Sequence, residues 1–268
     1  KRIRVGFEGS GLMGYIFKKV VGDTGPKVTA VLANAPGGLQ LLPSERYGSD
    51  WLKVKIGDQE ITLGKNSGDP YADIYTVQDK WYRLINPEWV NPANLETSSP
   101  EETRTKLIDA RKFHRAIGKH YHRLTYLSYG ADAKDDDHFA WGDVIWETGK
   151  APFFGGGAKQ RLGLEKLDIA PDPELWKTKH DDGEGVVRLT DGMDAQAFGT
   201  RILPPGEPGD GTVPQRSAED PVKQGKPRVS FKQSGYEHQG SYQDKAALSS
   251  TLYCICKIAN EGFTWWES

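Results

Sequence analysis

The sequence predicts an α/β protein, and three observations carry that expectation. Three short runs are apolar and β-branched without polar alternation: "KVTAVLANAPGG" over 27–38, "LTYLSYG" over 124–130 and "RVSF" over 228–231. Strands of that kind come from a mostly parallel sheet covered on both faces. Two long segments, 98–122 and 244–260, have helical character and alternate with those runs. The resulting order is strand, helix, strand, long excursion, strand, loop, helix. It reads as the C-terminal part of an α/β sheet with helices on both faces, whose earlier strands precede these residues. On this reading residues 1–268 are part of one domain, with loop or lid insertions at about 39–100 and 131–205.

Each element has a local reason. "LMGYIFKKVVG" over 12–22 reads as a short helix closed by Gly22. The run at 27–38 stops at Asn-Ala-Pro-Gly-Gly, a turn sequence. Residues 39 to 100 read as irregular, apart from a weak strand pair in "WLKVKIGDQEITLG". The helix over 98–122 has Ser98 or Ser99 as a cap, Pro100 in its first turn and acids directly after. "DVIWETG" and "GVVRLT" are short strand candidates, and "LPPGEPGDGTVPQRSAED" is a Gly- and Pro-rich loop. The last helix places Leu248, Leu252, Ile255 and Ala259 on one face.

Composition narrows the function classes. The 268 residues carry a formal net charge of −2, which gives no electrostatic reason to expect nucleic acid as a partner. No apolar run reaches the ~18 residues a membrane span needs. The chain opens "KRIRVGFEG", with neither a methionine nor a secretory signal, as a fragment or processed chain would. Cys254 and Cys256 lie two apart on the last helix and point to different faces, so they read as buried free thiols.

The chemistry concentrates in two loops. In "GDGTVP" over 209–214, Asp210 sits between glycines, where a turn can present a short carboxylate. His238 in "SGYEHQGSYQD" follows the next strand. A carboxylate that accepts a hydrogen bond from one imidazole N–H fixes the tautomer and leaves the other nitrogen as a general base. Asp132, directly after the strand ending at Gly130, is the rival acid. Glu237 adjoins His238 and reads as a surface group turned away from it.

"GDGTVPQRSAED", then "GYEHQGSYQD" and a last helix, resemble the C-terminal part of α/β-hydrolase lipases. "VTAVLANAPGGLQLLPSERYGSDWL" is similar to the strand after the nucleophile region of bacterial lipases, with N-x-P-G-G where many have T-P-H-G-G. Within that group the chain resembles the type VI secretion lipase effectors with a GPI-inositol-deacylase-like lipase domain. The resemblance is patchy between about 55 and 95. It implies a serine-type lipid ester hydrolase, a phospholipase or lipase, with Asp210 and His238 in the triad and no cofactor required. It further implies a secreted effector that acts in the periplasm or at the membranes of a target cell and is neutralised by a cognate immunity protein.

The departure from the family pattern is the nucleophile. No serine has glycine at both −2 and +2, as the G-x-S-x-G elbow requires; Ser10 and Ser128 come nearest. In family order the serine precedes the acid and the histidine. It is therefore expected in an upstream segment of the same protein, with the oxyanion hole. The alternative is a non-catalytic binding module that keeps the hydrolase frame. Other clusters read as structural. Asp132, Asp135, Asp136 and Asp137 offer oxygen ligands to Ca2+ but lack a loop-motif spacing, so a solvated acidic loop is expected. His114, His120 and His122 do not share a helix face as zinc ligands would. The "FFGGGAK" loop lacks the phosphate-loop spacing. The aromatic segments 76–90 and 139–154 suit either a pocket wall or ordinary packing.

Overall fold

A computed structural model describes residues 22–132, 138–150, 172–191 and 197–263. The expected helix over 12–22 (Gly22 aside), Ser10, Asp135 to Asp137 and the "FFGGGAK" loop lie outside the described residues. Those residues form an α/β structure with eight strands in chain order: β1 Leu52–Ile56, β2 Gln59–Thr62, β3 Tyr126–Gly130, β4 Val144–Lys150, β5 Lys177–Asp181, β6 Val186–Thr190, β7 Ala197–Ile202 and β8 Val229–Gln233. The α-helices are α1 Gly25–Leu32, α2 Pro36–Leu39, α3 Pro100–Ile117, α4 Gln215–Ala218, α5 Asp220–Lys223 and α6 Lys245–Phe263. The chain divides into two compact units, Lys1–Gly118 with Val144–Leu203, and Lys119–Asp143 with Pro204–Ser268.

The first unit holds a six-stranded sheet in the order β2-β1-β4-β7-β6-β5. Only β1 and β4 pair in parallel; the other neighbours are antiparallel, so this sheet is mostly antiparallel where the sequence predicts a mostly parallel one. All six strands come from the two stretches expected as loop or lid insertions. The β1–β2 hairpin closes over Gly57 and Asp58, and Gly57 takes φ +59°, the conformation such a two-residue turn asks of its first position. The core of this unit is aromatic. Trp81 packs edge-on against Trp146 with ring centroids 5.8 Å apart, and Trp176 meets Phe198 at 4.7 Å. Trp81 also donates Nε1–H to the Pro173 carbonyl at 2.7 Å, so its polar edge is satisfied inside the core. Trp81, Tyr82 and Trp146, from the two aromatic segments, are thus packing residues.

The first helices correct another sequence expectation. The run at 27–38 is helical, forming α1 and α2, and is not a strand. Pro26 occupies the first turn of α1, where its fixed φ suits a helix. Burial is one-sided, with Val28 and Thr29 inside and Val31 exposed. A short apolar run does not distinguish strand from helix by periodicity. The Asn34 amide then ties the helix end to the Ala30 and Val90 carbonyls. Helix α3 follows expectation. Ser99 Oγ accepts from the Glu102 N–H at 3.1 Å, and Thr103, Leu107 and Ala110 form the buried stripe. Near its end, His114 is engaged by the Tyr71 hydroxyl at 2.9 Å and the Gln40 carbonyl at 2.7 Å.

The second unit is built on the parallel pair β3–β8, in register from Tyr126↔Val229 to Gly130↔Gln233. A side-chain network marks that register. Ser128 Oγ donates to Gln233 Oε1 at 2.8 Å, and the Gln233 amide donates to Ser250 Oγ on α6 at 3.3 Å. The apolar face that the sequence marks on α6 is not the one that meets the strands. Ala247 and Ser250 are buried and Cys254 half-buried, whereas Leu248, Leu252 (62% exposed) and Ile255 face outward. Small residues let the helix approach the strands closely, and Tyr253 packs on Phe231 at 5.6 Å. Cys256 is exposed, contrary to the buried-thiol reading.

Leu107→Ala should destabilise the protein by about 2–5 kcal/mol through loss of buried methyl groups and an unfilled cavity. Ser99→Ala should cost about 1 kcal/mol through loss of the cap. Urea denaturation of the two variants reads both values.

Candidate active site

Both loops that the sequence singled out lie in the second unit, and their side chains meet. Strand β8 ends at Gln233, and Gly235 with φ +95° turns the chain toward His238. Asp210 lies in a turn it organises itself. Its Oδ1 accepts from the Thr212 N–H at 3.1 Å and the Val213 N–H at 2.7 Å. Its Oδ2 lies 2.8 Å from His238 Nδ1. A main-chain bond from His238 N–H to the Asp210 carbonyl, 2.7 Å, runs alongside. The two residues are therefore held twice, through backbone and through side chain.

This geometry has a definite chemical meaning. With Oδ1 occupied by two backbone donors, Oδ2 is oriented at the imidazole. A carboxylate there accepts a hydrogen bond from Nδ1–H and holds the proton on that nitrogen, which leaves the Nε2 lone pair available. Among the described residues Nε2 makes no hydrogen bond, and the His238 side chain is 47% exposed. Asp210 itself is largely covered. Tyr236, two residues before His238, is buried, and burial, followed by the negative charge of Asp210, pushes its phenol above the usual tyrosine range. Glu237 accepts from the Gly240 N–H at 2.7 Å and caps the loop after His238.

The approach of β3 to the Asp210 turn depends on missing side chains. A Cβ on Gly130 would stand 2.6 Å from Asp210 Cβ, and one on Gly209 would stand 2.4 Å from the Val213 carbonyl oxygen. Asp132, the rival acid, is next to this contact but does not face His238. Its Oδ2 accepts from His138 Nδ1 at 2.8 Å and from the Gly235 N–H at 3.0 Å. The site thus holds two carboxylate–imidazole pairs, Asp210–His238 and Asp132–His138. His138 went unremarked in the sequence, where it follows three aspartates that read as a solvated acidic loop. Its one signal was a histidine six residues after a candidate acid.

Among the described residues no group of three or more His, Cys, Asp or Glu side chains is gathered as metal ligands would be, and none of their helices is long and apolar enough to cross a membrane. No family model matches the chain, and no curated protein matches it. The structure is similar to the crystal structure of the Tle4–Tli4 complex, with a TM-score of 0.66 and 26% sequence identity. The match covers 90% of this chain and 49% of the other, so this chain spans about half the length of the chain it matches.

Gly130→Ala should displace the Asp210 turn, because the atom met, Asp210 Cβ, is fixed to the backbone and is not the free end of a flexible side chain. The expected outcome is a lower urea midpoint and loss of the deshielded Nδ1 proton of His238 in the 1H NMR spectrum. Gly225→Ala, where nothing lies within 4 Å but φ is +62°, is the control: a similar destabilisation should leave that proton in place.

Proposed function

We propose that this chain is part of a serine-type lipid ester hydrolase of the type VI effector kind. His238 is its general base and Asp210 is the carboxylate that orients that base. The observation that carries the reading is the Asp210–His238 hydrogen bond with Nε2 left open. The similarity to the Tle4–Tli4 complex supports it, as do the motifs "GDGTVP" and "GYEHQ" in the expected order. On this reading the nucleophilic serine and the donors for the oxyanion belong to polypeptide outside these 268 residues, and the lack of a G-x-S-x-G elbow in the sequence supports that placement.

In this mechanism Asp210 keeps the Nδ1 proton on His238. Nε2 takes the serine hydroxyl proton as the oxygen attacks the acyl carbonyl, and the Asp210 carboxylate stabilises the imidazolium that forms. The same proton passes to the leaving alcohol as the tetrahedral intermediate collapses. Water, deprotonated by Nε2 in turn, releases the acyl group from the serine. None of these steps calls on a metal. The substrate class we propose is a lipid ester, foremost a phospholipid, met in the periplasm or at the membranes of a target cell. A cognate immunity protein as partner is part of the same reading, and the two-component Tle4–Tli4 complex is consistent with it.

In the full-length protein, His238→Ala should reduce phospholipid ester turnover by a factor on the order of 10³ or more, and Asp210→Asn by about 10⁴ in kcat. Turnover near wild type in His238→Ala would overturn the assignment. A fluorophosphonate probe should label one serine, located by peptide mapping outside residues 1–268. Labelling of a serine within them would move the nucleophile into this chain, and no specific labelling of a well-folded protein would favour the binding module.

A further inference from the structure

We infer that Asp132 and His138 form a positioning pair that aims the Asp210–His238 dyad, an inference that rests on the reading of that dyad as catalytic. The argument begins with where Asp132 is bonded. Its main chain pairs with Gly209, the residue before Asp210: Asp132 N–H donates to the Gly209 carbonyl at 2.8 Å, and Gly209 N–H donates to the Asp132 carbonyl at 3.2 Å. Its carboxylate accepts from the N–H of Gly235, three residues before His238. One residue is therefore bonded both to the loop that carries the acid and to the loop that carries the base.

His138 completes the clamp. Its ring bonds to Asp132 Oδ2, and its own carbonyl accepts from the N–H of Gly211, the residue after Asp210, at 2.7 Å. Asp210 is thus gripped on both flanks, through Gly209 by Asp132 and through Gly211 by His138. The carboxylate side chain of Asp132 is only 5% exposed and that of His138 18%. A buried carboxylate with several donors is an anchor with a fixed direction, because leaving any donor unpaired carries a full desolvation cost. Neither side chain bonds to the His238 ring. Their effect on the reaction passes through the placement of Asp210 and His238, where an error of about 1 Å can cost on the order of 10²-fold in rate.

The test uses the full-length protein with a phospholipid substrate in mixed micelles, and compares His138→Ala, His138→Asn, Asp132→Asn and, in parallel, His238→Ala. His138→Ala and Asp132→Asn should lower kcat roughly 10- to 100-fold with KM within about twofold. They should also shift or broaden the deshielded Nδ1 proton of His238 in the 1H NMR spectrum. His138→Asn places an amide N–H where Nδ1–H stood and should restore most of kcat and the proton signal. Folded His138→Ala and Asp132→Asn variants with wild-type kcat and an unchanged proton signal would overturn the inference. So would a rise in KM at constant kcat, or a loss of near-UV circular dichroism in every variant of the pair, which would make it a fold determinant. The catalytic reading fails separately: His238→Ala would then turn over normally, and the NMR arm would still report whether the pair aims the dyad.

Discussion

The second unit depends on a close contact between two stretches of main chain. The end of β3 runs against the Asp210 turn, with Asp132 and Gly209 paired as in a sheet. The contact is possible because Gly130 and Gly209 carry no side chains to fill the gap. From it follow the direction of the Asp210 carboxylate, its bond to His238 and the burial of Asp132. A buried carboxylate this near a second one would be unfavourable if either lacked donors. Here each has its own: Thr212, Val213 and His238 for Asp210, and Gly235 and His138 for Asp132.

The two units solve different problems. The first buries large aromatic rings over a mostly antiparallel sheet, and its polar edges are satisfied locally, as with Trp81 and the Pro173 carbonyl. The second has few large buried side chains and relies on hydrogen bonds among loops. Function-bearing loops commonly sit on a scaffold that fixes their ends. Here β3 and β8 are that scaffold, since Ala131 N–H bonds to the Gln233 carbonyl one step beyond the last paired residues.

What the sequence made legible follows from range. Local rules found β3, β8, the hairpin β1–β2 and helix α3, because caps, turns and β-branched runs act over a few residues. Asp210 and His238 were legible through glycine-flanked turns and their order along the chain. The helical state of 25–39 was not, since Val28 and Thr29 are buried by partners far away in sequence and the run itself suits either state. The outward face of α6 was not legible either. Leucine and isoleucine mark a helix face as apolar, but which face meets the strands is set by how closely Ala247 and Ser250 allow the backbone to approach. His138 was hidden by its acidic neighbourhood. Its role depends on Asp132 being turned away from His238, which no local pattern encodes.

The Ser128–Gln233–Ser250 network has a consequence beyond holding α6 to the sheet. In a strand, side chains alternate between faces, so a slip of β8 by one residue would turn Gln233 away from both serines. The same slip would carry everything after it along by about 3.3 Å. That displacement exceeds the 2.8 Å that separates Asp210 from the His238 ring. Three uncharged side chains thus act as a counting device, making the distance between acid and base a matter of which residue faces which.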